Sequence, residues 1–196
     1  MLRNILYVTF FAIILSSCSE KQAPPPLYEE LIFNVDTALL GKKVYVKSAG
    51  IEFYAPRAYE QMDSQMFQNL KQSLLNIEGF RHFPMLAAIN DDQMGIFLFL
   101  KLFPLDSTVQ HITFSQVETV LQPKDTSVQV NKNFFRKDSI DILQYVIDTG
   151  QIFDLKLFFH DKDSNLYELD YIFLSKDKYK NNSRAIESSI GSLKIH

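Results

Sequence analysis

The run from Met94 to Phe103 constrains the fold more than any other stretch of this chain. Read with a period of two, Ile96, Leu98, Leu100 and Leu102 fall on one side, and Phe97, Phe99 and Phe103 on the other. A strand that is apolar on both sides belongs in the middle of a sheet covered on both faces. Phe83 to Ile89 precedes it across Asn90-Asp91-Asp92, which is turn chemistry between two apolar runs, so the two strands read as neighbours.

The last third extends the same pattern. Ile140 to Ile147, Gln151 to His160 and Leu166 to Leu174 are strand-like, separated by Asp148-Thr149-Gly150 and by Asp161 to Asn165. Short connections of this kind join antiparallel neighbours. Phe153, Leu155, Leu157 and Phe159 alternate with Asp154, Lys156 and His160, while Tyr167, Leu169, Tyr171 and Phe173 alternate with Glu168 and Asp170. One face is thus expected to build the core and the other to be at least partly wet. Lys43 to Ser48, Ile51 to Tyr54 and Val128 to Phe135 read as further strands, the second stopped by Pro56.

Helices are expected at four places. Leu27, Leu31, Val35 and Leu39 recur every four residues, with Glu29 and Glu30 near the start and Gly41 past the end, although Leu31 to Val35 also suits a strand. Asp63 or Ser64 caps a clearer helix whose apolar stripe is Met66, Phe67, Leu70, Leu74 and Ile77, ended by Gly79. Thr113 to Leu121 reads as a short helix or an irregular crossing. Ser183 to Leu193 carries Ile186, Ile190 and Leu193 at helical spacing.

Gly50-Ile51-Glu52-Phe53-Tyr54-Ala55-Pro56, an early helix, a long meander, Tyr171-Ile172-Phe173-Leu174 and a terminal helix running into Ile190-Gly191-Ser192-Leu193-Lys194 follow one another in an order that resembles PsbP-like domains. The resemblance spans roughly Val44 to His196, with Thr108 to Lys137 departing from it. It implies an α+β fold: a central antiparallel sheet of about six strands with helices packed on it as an α/β/α sandwich. It also implies a domain that binds or helps assemble membrane-associated complexes, without a shared catalytic constellation.

The N-terminus is read separately. Arg3 gives a short basic start, Ile5 to Leu15 is almost continuously apolar, and Leu15-Ser16-Ser17-Cys18 closes the run. Those are the parts of a secretion signal. A spanning helix needs about 20 apolar residues, and this run breaks at Ser16. The ending resembles the lipobox of bacterial lipoproteins, which implies cleavage before Cys18 and acylation of its thiol. Residues 1–17 are then a signal peptide, 18–26 the lipidated cysteine with a proline-rich spacer, and 27–196 a single α+β domain. The implied partners are a lipid membrane, through the acyl anchor, and an unidentified envelope protein. In the enterobacterial sorting logic that this resembles, Asp after the cysteine retains a lipoprotein in the inner membrane, so the resemblance implies the outer membrane for Ser19.

Composition narrows the function classes. Cys18 is the sole cysteine, so neither an intrachain disulfide nor a second reactive thiol exists. Losing residues 1–17 removes Arg3 and no acidic residue, so a net charge of −3 becomes −4, the wrong sign for nucleic acid. Seventeen Phe and nine Tyr supply a core, with few glycines and no low-complexity tract after Pro26.

No catalytic motif emerges. His160 to Asn165 opens like a calcium loop, but Leu166 and Ile172 stand where such a loop needs Gly and Glu, so a polar hairpin turn is expected. His82, His111, His160 and His196 lack ligand spacing, and there is neither a Gly-x-Ser-x-Gly elbow nor a phosphate loop. Ser188, Ser189 and Ser192 read as the solvated side of the last helix. No cofactor is expected. The wet face of the meander, with Tyr145, Asp154, Lys156, Glu168 and Asp170, is the candidate recognition surface, and the Thr108–Lys137 segment competes with it. Thr37, Ser107 and Ser139 sit in Asp-Ser/Thr patterns that resemble O-glycosylation acceptors of Bacteroidota. The expected function is a non-catalytic binding or assembly module. An envelope hydrolase with residues assembled from distant positions, and a carrier of a small apolar ligand, are the alternatives.

Overall fold

The computed structural model describes residues 29–74, 79–90, 95–123 and 127–196. In chain order its strands are β1 (Glu29–Glu30), β2 (Leu40–Val46), β3 (Ile51–Pro56), β4 (Glu60–Gln61), β5 (Phe80–Asn90), β6 (Gly95–Pro104), β7 (Gln129–Lys137), β8 (Ile140–Asp148), β9 (Phe153–His160), β10 (Leu166–Phe173) and β11 (Lys194–Ile195). The helices are α1 (Ser64–Leu74), α2 (Phe114–Val120) and α3 (Lys176–Gly191), with a 3-10 turn at Thr37–Leu39. Among the described residues, no helix is long and apolar enough to cross a membrane.

The class is α+β, with a central antiparallel sheet. Eight strands lie in the order β1-β7-β8-β9-β10-β6-β5-β4, and β11-β3-β2 form a second sheet. The sheet exceeds the expected six strands because β1 and β4 are two residues long, too short to carry any periodicity. β1 pairs with β7 in parallel, and every other pair in the large sheet is antiparallel.

β6 sits between β5 and β10, as its two-sided apolar pattern requires. On one face, Phe97 and Phe99 join Leu155, Leu157, Leu169 and Tyr171 against Phe53 of the small sheet and Ile186 and Ile190 of α3. Phe53 meets the rings of Phe97 and Phe99 edge-on at 5.6 and 5.3 Å, the geometry that ring quadrupoles favour. On the other face, Leu98, Leu100 and Leu102 pack with Leu143 and Phe158 under Val117 of α2 and Phe67 and Leu70 of α1. Each fully buried Leu or Phe contributes about 1.5–3 kcal/mol.

Local chemistry sets the helix ends. The Asp63 carboxylate accepts from the Gln65 and Met66 N–H groups at the start of α1. Thr113 and Gln116 form a reciprocal capping box, which resolves the Thr113–Leu121 ambiguity in favour of a helix. α3 begins at Lys176, before the expected Ser183, capped by Ser175. Its first turns offer one core contact, Tyr179, stacked 4.3 Å from Phe153, so the apolar spacing is silent there.

The helix expected over Leu27–Leu40 does not form. Within its described part, residues 31–36 are irregular and only the 3-10 turn at Thr37–Leu39 is helical. Leu31 and Phe33 pack on the core while Ile32 between them is 97% exposed, so the working period is two. The spacing of four was a coincidence of every second strand-like position. Leu27, the side chains of Leu74 and Ile77, and the turn at Asp91-Asp92 lie outside the described residues.

Candidate functional site

Strand register assembles the charged residues. Lys156 lies opposite Tyr145 across β8–β9 and opposite Asp170 across β9–β10, so the three form one row over three strands. Asp154 and Glu168 flank the row on the same face, two residues away along each strand. The Lys156 ammonium therefore stands 2.6 Å from Asp170, 3.0 Å from Glu168 and 3.2 Å from Asp154.

This face is not the solvated surface expected from alternation. Glu168, Asp170 and Tyr145 are all at least 95% withdrawn from water, and the side chains of Lys156 and Asp154 are mostly so. The reason is that the opposite charges neutralise one another across the strands, which lets the leucines and phenylalanines of this face close around them. Tyr145 packs edge-on against Phe158 at 6.2 Å. His82, on β5, feels the charges of Lys156 and Asp170, although nothing in the sequence pattern marked it. It is buried, and neither ring nitrogen has a hydrogen-bond partner.

Burial dominates the electrostatics. It pushes the Asp154 carboxyl up to about 9, with the Asp170 charge adding to the shift and Lys156 opposing it. Glu168 is raised for the same first reason. Burial works against the charge on Lys156, but Asp170, Glu168 and Asp154 together outweigh it and hold its pKa well above the usual lysine value. His82 is pushed down to about 4 by burial, helped by the Lys156 charge and opposed by Asp170. Lys156 is thus a fixed cation, Asp154 a retained proton, and His82 a neutral ring.

These shifts give opposed pH dependences. A carboxyl whose folded pKa is raised contributes stability that is full at low pH and is lost as pH climbs toward about 9. A histidine whose folded pKa is depressed does the reverse, losing stability as pH falls from its ordinary 6.5 toward about 4. The two oppose each other between those values, and above about 6.5 the carboxyl trend is left alone. The unfolding free energy from urea titration is expected to fall between pH 7 and pH 9, by at most about 1.4 kcal/mol per pH unit for each proton involved. Asp154→Asn should flatten that fall; a level wild-type profile over the interval would rule out a protonated Asp154.

A second feature is a cleft of about 320 Å³ where the small sheet meets the edge of the large one. Val44, Ala55, Phe67, Met85 and Phe97 line it, and Tyr59, Gln61 and Lys42 also border it. A neighbouring hollow of about 510 Å³ shares Lys42, Tyr59 and Gln61 and adds Arg57 and Glu60. The Tyr59 hydroxyl is buried with no hydrogen-bond partner, and burial pushes its pKa up. Lys43, also on the rim, is paired with Glu52 at 2.6 Å. Lys42 and Arg57 are exposed, and among the described residues neither forms an ion pair.

The remaining candidates fall into place individually. Ser188, Ser189 and Ser192 are buried rather than solvated, and they fasten α3 to the rest of the domain. The Ser189 hydroxyl donates to the Tyr54 carbonyl at 2.6 Å and accepts from the Tyr171 hydroxyl at 3.0 Å. The Tyr54 N–H donates to Ser192 and the Asp36 N–H to Ser188. Three hydroxyls on one helix are equally compatible with water and with a neighbouring strand, so sequence could not separate the two.

The Asp161 carboxylate accepts from the Asp163 and Asn165 N–H groups, the Asn165 side chain and the Tyr167 hydroxyl, which is the chemistry of a hairpin turn. Among the described residues no group of three His, Cys, Asp or Glu is placed to hold a metal ion. Thr37, Ser107 and Ser139 are all exposed, Ser139 with a left-handed backbone (φ 70°) between β7 and β8. Cys18 lies outside the described residues.

No family model matches the chain, and no curated protein matches it. Among solved structures it is similar to the solution structure of cyanobacterial PsbP (CyanoP) from Synechocystis sp. PCC 6803. The two share 12% sequence identity at a TM-score of 0.49, over 88% of this chain and 100% of that one.

Proposed function

We propose that the protein is a lipid-anchored module of the bacterial cell envelope that acts by binding, with Cys18 carrying the acyl chains. The observation that carries this reading is the place of the sole cysteine. It ends the apolar run Ile5–Leu15 through Leu15-Ser16-Ser17, and the domain's first strand already starts at Glu29. An extended chain covers about 3.6 Å per residue, so the stretch from Cys18 to Glu29 reaches at most about 40 Å. The domain therefore works within about its own diameter of the bilayer, held by the edge of its sheet where β1 meets β7. Buried acyl chains contribute about 0.8 kcal/mol per CH₂, enough in combination for a lasting tether. Ser19 favours the outer membrane as the site of attachment.

Binding is preferred to catalysis because of how the titratable groups are arranged. Lys156 is locked by three carboxylates in its cationic form, which removes it as a nucleophile, and each of those carboxylates is turned to the lysine. The cleft beside the small sheet, by contrast, presents apolar side chains with a cationic rim, a surface made for contact. An envelope protein is the partner class that fits a domain so tethered.

Cys18→Ser tests the anchor. The wild type is expected to incorporate labelled palmitate and to sediment with membranes, and the variant to do neither. Unchanged sedimentation of the variant, or no label in the wild type, would sink the reading.

A further inference from the structure

We propose that the cleft beside the small sheet is a binding site for a single-chain amphiphile with an anionic head group. This rests on the reading of the protein as a binding module and names the ligand class. The acyl tail lies against Val44, Ala55, Phe67, Met85 and Phe97, and the head group meets Lys42 and Arg57 at the mouth.

Three observations converge on that ligand. The cleft holds about 320 Å³, within the range of about 300–1,000 Å³ typical of small-molecule sites. The character of the lining changes along the site: apolar side chains line the first hollow, and the adjoining one, reached through the shared Lys42, Tyr59 and Gln61, is polar. An amphiphile has that same division.

Charge selects the sign of the head group. Lys43 is already neutralised by Glu52, which leaves Lys42 and Arg57 as two exposed cations against the single carboxylate of Glu60. An anion is complementary to that mouth and a quaternary ammonium is not.

A carboxylate-headed fatty acid and a phosphate-headed lipid share this chemistry, and the test separates them. The full chain, purified from membranes into phosphatidylcholine nanodiscs, is titrated calorimetrically with octanoate, octyl phosphate and octyltrimethylammonium, with empty nanodiscs subtracted. Saturable one-to-one binding of the anionic probes is expected, with none for the ammonium. The tighter of the two anions identifies the source. The Lys42→Gln/Arg57→Gln pair removes two exposed charges, with one 3.4 Å hydrogen bond from Arg57 to the Ala38 carbonyl, and should weaken binding at least tenfold; Val44→Phe should weaken it by filling the tail site. No saturable signal above empty nanodiscs, equal binding of the ammonium, or an unaltered affinity in the double variant would each overturn the proposal. Palmitate labelling of the same preparation reads the anchor separately: label intact with no titration removes the ligand alone, whereas titration without label removes the anchor alone.

Discussion

Lys156→Met is expected to destabilise the protein by about 3–5 kcal/mol, the usual penalty for leaving a buried charge without its partner. The lysine stands within 3.2 Å of Asp154, Glu168 and Asp170, and the last two carboxylates are almost wholly enclosed. Methionine fills the volume but supplies no counter-charge, so Asp170 and Glu168 must either ionise in a low-dielectric surround or take up protons at a cost. Urea unfolding at pH 7 measures the loss. Because protonation relieves the stranded carboxylates, the deficit should shrink as the pH is lowered. Pairing the change with Asp170→Asn should recover part of it, since one of the stranded charges is removed. A deficit under about 1 kcal/mol would instead mean an ion pair that behaves as if in water.

Gly95→Ala is expected to lower stability by about 3 kcal/mol or more, through two separable effects. Gly95 opens β6 with φ +107°, a conformation side chains rarely adopt. A Cβ built there would also stand 1.9 Å from the Ile172 carbonyl oxygen of β10, far inside van der Waals contact. β6 cannot move away without breaking its register with β10, which pairs Ile96 with Ile172. Gly150 is the control. It also has a positive φ, at +80°, but nothing lies within 4 Å of its added Cβ, so Gly150→Ala reports the backbone effect alone. It should lose about 1 kcal/mol by the same urea measurement. Equal losses at the two positions would show that the β6–β10 contact yields easily.

The two variants probe the parts of the fold that were least and most legible in the sequence. β6 was readable because leucine on one side and phenylalanine on the other leave no side for water, and β8, β9 and β10 because short polar turns punctuate them. Alternation along β9 and β10 also showed that Asp154, Lys156, Glu168 and Asp170 share a face. It did not show whether that face meets solvent, since a charge facing water and a charge facing its opposite give the same pattern. The information was nevertheless present. The connection over 161–165 fixes the register and sets Lys156 opposite Asp170. A lysine ringed by three acids at adjacent sheet positions is better satisfied by its neighbours than by water. His82 and Tyr59 were not legible at all, because each becomes notable only through partners that it lacks in the fold. The helix expected near Leu31 failed for a different reason: positions two apart and positions four apart coincide, and the short stretch could not separate them.

The two borders of the large sheet are two-residue strands, β1 on one side and β4 on the other. β7 carries exposed Asn131, Lys132 and Asn133, with the Lys132 ammonium 2.9 Å from Glu118. A long bare rim would invite a second molecule to zip on and extend the ladder indefinitely. Very short border strands and a charged lysine work against such pairing, which favours neighbouring copies crowding side by side over stitching into fibrils.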